Sequence, residues 1–402
     1  MAVGEASTDF MVVPGVRLAA TGCGLKDGGK LDLVLMDLIE GSTSAGVFTQ
    51  NQFAAAPVIV GKDHMARKAP RRWLINSGNA NCAVGAVGIE DAKFCCKAVS
   101  LAAGGHPYEV LPFSTGVIGE RLPTEKIANA VPGLVATLSE DGWLNAAMGI
   151  MTTDTRPKIG SRQVKLDGTP VTITGIAKGA GMIQPNMATM LSYIATDAEV
   201  AAELLDKLLR NAVDGSFNRI TVDSDTSTND TVMLAATGAS GVEVRAGTVT
   251  GAAFAEALNS LCLELAQGLV RDGEGVTRFV TVIVEDGANA ADCLDVAYAV
   301  ANSPLMKTAI FAGDPNWGRV VMAVGKAGVQ LDLARINIWL GDVKLITAGE
   351  KEPTYTEAGG EAVMAEEEIT IRISLGAGSA TETVWTSDLS HEYVTINAEY
   401  RT

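Results

Sequence analysis

Lys178–Ser192 reads KGAGMIQPNMATMLS and lies between two alternating stretches, Val171–Ile176 and Met190–Ala195. A two-residue alternation predicts strands, so the quoted run is a glycine-rich loop that delivers the chain into a buried strand. Thr189 sits where that strand begins. A threonine hydroxyl is a weak acid and a poor nucleophile. Cleavage of the Ala188–Thr189 peptide would change this, because the freed α-amine of Thr189 lies within reach of its own hydroxyl and can take its proton. Glycine before the bond gives the backbone the freedom to adopt a tight geometry there.

Outward from this loop, strand and helix signals alternate along both halves. Ala45–Gln50, Pro57–Val60 and Arg72–Ile75 read as strands, the last running into the turn-rich SGNANCAVG of Ser77–Gly85. Glu90–Ala103 reads as a helix with Phe94, Val99 and Ala102 towards one side, followed by a strand at Glu109–Phe113. Thr124 opens a capping-box pattern ahead of a helix that Pro132 kinks or divides. Asp197 is placed to cap a helix over Val200–Val213, whose Leu204, Leu205, Leu208 and Leu209 make a broad apolar stripe. Thr231–Ala236 is strand-like, Ala252–Val270 carries the strongest helix signal, and Arg278–Glu285 and Ala291–Val300 follow as strand and helix. Val320–Val324, Arg335–Trp339, Ile369–Ser374 and Tyr393–Ile396 read as late strands, with a hairpin over Ile336–Ile346. The fold class expected is layered α/β or α+β, with mixed sheets sandwiched by helices.

The chain has 402 residues, 47% of them hydrophobic and 19% charged, enough for a substantial core and for more than one domain. Its 43 glycines follow no three-residue period, which excludes a collagen-like chain. A net charge of -16 argues against a nucleic-acid backbone or an anionic membrane as partner. That charge is unevenly spread. Residues 1–188 hold 17 basic and 16 acidic side chains, whereas residues 189–402 hold 14 and 31. No leader pattern opens the chain and no apolar run reaches spanning length. Six scattered cysteines and three histidines supply neither a disulfide framework nor zinc spacing. A reduced, cytoplasmic protein without a structural metal is expected.

Two further stretches offer chemistry. Phe113–Glu120, FSTGVIGE, ends a strand at Ser114 and Thr115 and continues at once into Gly116. A hydroxyl beside a glycine N–H can stabilise a developing oxyanion; the plainer reading is an ordinary strand-to-loop turn. Asp223–Asp230, DSDTSTND, lacks the spacing of a calcium loop. It reads first as a hydrogen-bonded polar turn, then as a small-molecule contact surface, and least well as a metal site. The acidic run Glu366–Glu368 reads as a solvated edge.

KGAGMIQPNMATML closely resembles the processing motif of the ornithine acetyltransferase family, the glutamate N-acetyltransferases of arginine biosynthesis. SGNANC (Ser77–Cys82), FSTGVIGE, MTTDT (Met151–Thr155), TVDSDTSTND (Thr221–Asp230), RDGEG (Arg271–Gly275) and GDPNWGR (Gly313–Arg319) follow in family order. The resemblance covers essentially the whole chain.

It implies self-cleavage between Ala188 and Thr189 into an alpha chain, 1–188, and a beta chain, 189–402, intertwined in one catalytic unit and assembled as a heterotetramer of two of each. Thr189 is then the nucleophile, taking acetyl from N2-acetyl-L-ornithine and passing it to L-glutamate. Thr115 and Gly116 match the family's oxyanion donors. Thr152, Lys178, Thr189, Glu274, Asn397 and Thr402 match its substrate contacts, with Thr153 an alternative hydroxyl to Thr152. A Lys178 cation suits a substrate carboxylate and Glu274 a substrate amine. No bound cofactor and no metal are implied. The family includes members that also take acetyl from acetyl-CoA and members that only recycle it. With water as acceptor, the same nucleophile would make an amidohydrolase or aminopeptidase. A metabolite-binding protein would keep one intact chain.

Overall fold

The computed structural model describes residues 2–184 and 190–399. They form two compact units, one from residues 6–184, 190–218 and 225–269, the other from residues 2–5, 219–224 and 270–399. The division falls near residue 270, not at the junction of 188 and 189.

The larger unit opens with β1 (Val16–Thr21), β2 (Leu33–Leu38), β3 (Thr43–Phe48), α1 (Ala56–Arg67), β4 (Arg72–Asn79), α2 (Ala86–Ala103) and β5 (Val110–Val117). Next come α3 (Thr124–Ala136), α4 (Trp143–Ile150), β6 (Lys158–Leu166), β7 (Thr169–Lys178), β8 (Leu191–Thr196) and β9 (Glu199–Val200). It closes with α5 (Ala202–Asp214), β10 (Thr231–Ala236), β11 (Glu243–Val244) and α6 (Val249–Arg271). One sheet runs β1-β2-β4-β5 and a second β3-β10-β8-β7-β6. Residues before 185 and residues after 189 are interleaved in the second sheet, where Lys178 of β7 pairs antiparallel with Leu191 of β8.

Strand alternation builds the layers. On β2, Val34 and Met36 join Trp73, Phe113, Tyr193 and Met233 in a core shared by both sheets. Leu33 and Leu35 point the other way, against Cys96 and Val99 of α2 and Ile127 and Val131 of α3. Because successive strand side chains take opposite faces, one strand serves two apolar layers. On α6, Phe254, Leu258, Leu261, Leu265 and Leu269 are buried at helical spacing. The ring centroids of Phe113 and Tyr193 lie 5.1 Å apart, edge to face, tying β5 to β8 across the core.

The smaller unit contains β12 (Phe279–Gly287), α7 (Ala290–Ala301), α8 (Pro304–Ala312), α9 (Trp317–Gly325), β13 (Asn337–Leu340), β14 (Val343–Thr347), β15 (Glu350–Lys351), α10 (Glu357–Met364), β16 (Glu368–Ser374), β17 (Ala380–Ser387) and α11 (His391–Glu399). Its sheet runs β15-β14-β13-β16-β12-β17, with β12 parallel to β16 and antiparallel to β17. Val280, Val282 and Val284 of β12 pack with Val296 and Val300 of α7 and Val320 and Val324 of α9. Among the described residues, no helix is long and apolar enough to cross a membrane.

Three expected strands are helices. Pro57–Val60 starts α1, where proline's fixed φ suits the first turn and the missing N–H costs nothing. Val320–Val324 lies in α9, because the Asn316 side chain accepts from Arg319 N and the helical spacing buries Val320, Ala323 and Val324 together. Tyr393–Ile396 lies in α11, whose Tyr393 N–H donates to Ser390 Oγ at 3.3 Å. Caps differ too. Asp197 accepts from Thr172 N at 2.8 Å, leaving Ala201 at the N-cap of α5. Pro123, not Thr124, precedes α3, which runs undivided through Pro132. On α2 the buried side carries Asp91, Ala92, Cys95, Cys96 and Val99, while Phe94 and Ala102 are exposed. Ser77–Asn79 extends β4 instead of opening the turn.

Candidate active site

β5 runs two positions past Thr115, to Val117, so Thr115 and Gly116 both lie within the strand. Ser77 pairs with Thr115 and Gly78 with Gly116 in parallel register. Gly116 lets the two strands approach closely, while Gly78 makes room for the backbone of Leu25. A Cβ on Gly116 would stand 2.4 Å from the Gly78 carbonyl carbon and 2.6 Å from Asn79 N, and its φ of 127° disfavours any side chain. Buried amides brace this strand end. Ser114 Oγ donates to Asn76 Oδ1 at 2.6 Å, and Asn229 Nδ2 donates to Ser114 O at 2.9 Å and Ala80 O at 2.7 Å. DSDTSTND is thus a hydrogen-bonded loop whose Asn229 reaches into the site's backbone.

Lys178 ends β7 with its side chain buried, and its Nζ donates to Thr115 Oγ1 at 3.3 Å. With that lone pair engaged, the Thr115 hydroxyl proton points elsewhere and is polarised by a cation. Thr152 and Thr153 are both half-buried, and Thr152 N donates to Asp154 Oδ2 at 2.8 Å. Asp154 Oδ1 accepts from Gly179 N at 2.7 Å and from Lys158 Nζ. Burial opposes the Asp154 charge, but the Lys158 and Lys178 cations and the bonds from Lys158 and Gly179 outweigh it and hold the carboxyl well below its usual range. Nearby, Asp32 accepts from Cys23 N, Leu25 N and Lys26 N, fixing a loop that passes over Gly78. Burial brings Lys26 down to about 8 against the pull of Asp32 and Asp154.

The smaller unit brings two more expected residues together. Asn397 Nδ2, on α11, donates to Glu274 Oε2 at 2.7 Å, and Glu274 is buried. The helix start is seated on Gly275, whose φ is 68° and whose Cβ would lie 2.5 Å from Tyr393 N. Ser390 Oγ donates to Gly275 O at 2.6 Å, and Tyr393 Oη donates to Asp223 Oδ2 at 3.1 Å. The expected residues therefore fall into two groups: Thr115, Gly116, Thr152 and Lys178 in the larger unit, Glu274 and Asn397 in the smaller. Ala188, Thr189 and Thr402 lie outside the described residues.

Sequence reasoning missed Asp154, Asp32 and Asn229. Asp154 stands in the quoted MTTDT, but burial of a carboxylate beneath a loop leaves no periodic trace.

A hydroxyl held by a buried lysine next to an unsubstituted glycine, on a layered α/β scaffold, is an arrangement that can stabilise an acyl oxyanion. The chain belongs to the ArgJ family, whose model matches residues 17–402. It is 54% identical over 393 residues to the arginine biosynthesis bifunctional protein ArgJ of Pseudomonas syringae pv. tomato, covering 97% of each chain. The corresponding protein of Pseudomonas fluorescens is 53% identical over 393 residues, with the same coverage. The crystal structure of the arginine biosynthesis bifunctional protein argJ from Bacillus halodurans matches with a TM-score of 0.51 and 36% identity, covering 53% of this chain and all of that one.

Proposed function

We propose that this chain transfers acetyl from N2-acetyl-L-ornithine to L-glutamate through an acetyl ester on Thr189. It is an ornithine acetyltransferase and glutamate N-acetyltransferase of arginine biosynthesis. The observation that carries the route is the Lys178–Thr115 hydrogen bond beside Gly116, a prepared donor set for an acyl oxyanion.

Cleavage of the Ala188–Thr189 peptide leaves a free α-amine on Thr189. This amine takes the hydroxyl proton as the oxygen attacks the acetyl carbonyl. The Thr115 hydroxyl and Gly116 N–H stabilise the tetrahedral oxyanion, which collapses to the ester as ornithine leaves with a proton. The neutral amine of glutamate then attacks the ester, and the same donors hold the second oxyanion. As the C–O bond breaks, the proton from that amine passes through the Thr189 α-amine to the Thr189 oxygen, releasing N-acetylglutamate and restoring the hydroxyl. By the family resemblance, Lys178 pairs with the carboxylate that donor and acceptor share, Glu274 receives the side-chain or α-amine, and Thr152, Asn397 and Thr402 are further substrate contacts. The chemistry calls on no bound cofactor. Acetyl-CoA fits as a second donor, since a thioester is attacked by the same nucleophile and yields the same ester. The processed chains assemble as two alpha and two beta.

Denaturing electrophoresis with intact masses and N-terminal sequencing tests the nucleophile. Two fragments are expected, the second beginning Thr-Met-Leu-Ser. An active wild-type chain that stays intact sinks the mechanism. Acetylornithine with and without glutamate then separates the readings, because a transferase forms acetylglutamate faster than acetate and a hydrolase does the reverse. Product from acetyl-CoA and glutamate alone tests the second donor, and native mass tests the assembly.

A further inference from the structure

We infer that Asp154 is a positioning residue for substrate recognition: one buried carboxylate locks the Thr152 loop to the end of β7 and so sets where Lys178 stands. The inference rests on the acetyl-transfer reading above. Asp154 is 25 residues from Gly179 in sequence, yet its two oxygens divide between these segments, Oδ2 taking Thr152 N and Oδ1 taking Gly179 N. The Asp154 side chain is fully buried, so no solvent molecule from bulk takes over either bond. Lys158, itself 4% exposed at its side chain, donates to the same carboxylate and offsets its charge. Gly179 directly follows Lys178, whose Nζ in turn donates to Thr115 Oγ1. A shift at Asp154 thus moves a proposed substrate hydroxyl, a proposed substrate cation and an oxyanion donor together.

An amide cannot replace this carboxylate. Asparagine has one acceptor oxygen, and its NH2 would face an N–H donor at the other segment. The test compares Asp154→Asn/Lys158→Met with Lys158→Met, both of which lack the ion pair; they differ in the acceptor and in the carboxylate charge beside Lys178. Lys158→Met leaves one partner of a buried pair without the other, which is strongly destabilising, so folding of both variants is checked first by circular dichroism and thermal melting. Expected are KM values for acetylornithine and glutamate at least about tenfold higher in the double variant than in Lys158→Met, with a smaller change in kcat. Ornithine affinity by calorimetry should weaken in step. Equal constants in the two variants overturn the inference, as does a double variant that fails to fold where Lys158→Met folds, or failure of both, since the role is then structural. A wild type without transfer or ornithine binding sinks the functional reading itself and is recognised before any variant is compared.

Discussion

Lys178 Nζ stands 3.3 Å from Thr115 Oγ1, joining the ends of β7 and β5 through a charged donor and a hydroxyl. The cation fills the lone pair of the hydroxyl, so the Thr115 proton is directed away from Lys178. The same geometry makes a substrate cation and an oxyanion donor interdependent.

Thr115→Ala removes that donor and should lower kcat by about 10²–10³-fold, as loss of a single oxyanion donor does elsewhere. Thr115→Ser, which keeps the hydroxyl, should recover most of the rate. Steady-state kinetics with acetylornithine and glutamate check this, and an unchanged rate for the alanine variant takes Thr115 out of the role.

Gly116→Ala places a methyl 2.4 Å from the Gly78 backbone at a φ of 127°. Strain at such a conformation costs about 1–3 kcal/mol even before the clash is relieved. Thermal unfolding should shift down by several degrees and the transfer rate should fall. A variant with the wild-type midpoint contradicts the close approach of β4 and β5.

Gly275→Ala strikes the start of α11 at Tyr393 N and Ser390 Oγ. The Asn397–Glu274 bond depends on that seat. Hydrogen exchange over His391–Glu399 should accelerate and KM should rise. Unchanged exchange rates would mean that α11 is held elsewhere.

Lys307 is buried on α8, where its Nζ donates to Thr386 Oγ1 at 2.9 Å and Ser387 O at 2.5 Å. Burial brings it down to about 8, while Asp388 and Asp223 pull the other way. An unfolded lysine titrates near roughly 10.4. Between these values the unfolded chain binds the extra proton, so the contribution of Lys307 to stability rises with pH through that window and is flat below about 8. The stability of wild type relative to Lys307→Met should increase from pH 8 to pH 10. A constant difference, measured by denaturant titration, removes the effect.

Long periodic elements were legible without coordinates. Ala252–Val270, Thr231–Ala236 and Ile369–Ser374 match observed elements because their side chains repeat with the period of the face they bury. Pro57–Val60, Val320–Val324 and Tyr393–Ile396 were not, because short β-branched or aromatic runs fit either period. A proline at the first turn, the Asn316 cap and the Ser390 contact decide them. Phe94 shows the same limit: it is apolar yet 48% exposed, while Asp91 on the same helix is buried and bonded to Arg121.

The sequence by itself determined the family, the motif residues and the alternation of strands and helices, all of which are local or linear properties. Tertiary structure alone decided that residues before 185 and after 189 share one sheet, so the charge division at Thr189 is not a division between folding units. It also decided that Asp154 binds Thr152 and Gly179 at once, and that Asn229 holds the strand of Thr115. The bonds of Asp154 to Gly179 and of Asn229 to Ser114 join residues remote in the chain. Their strength comes from burial away from water, which only the packed fold provides.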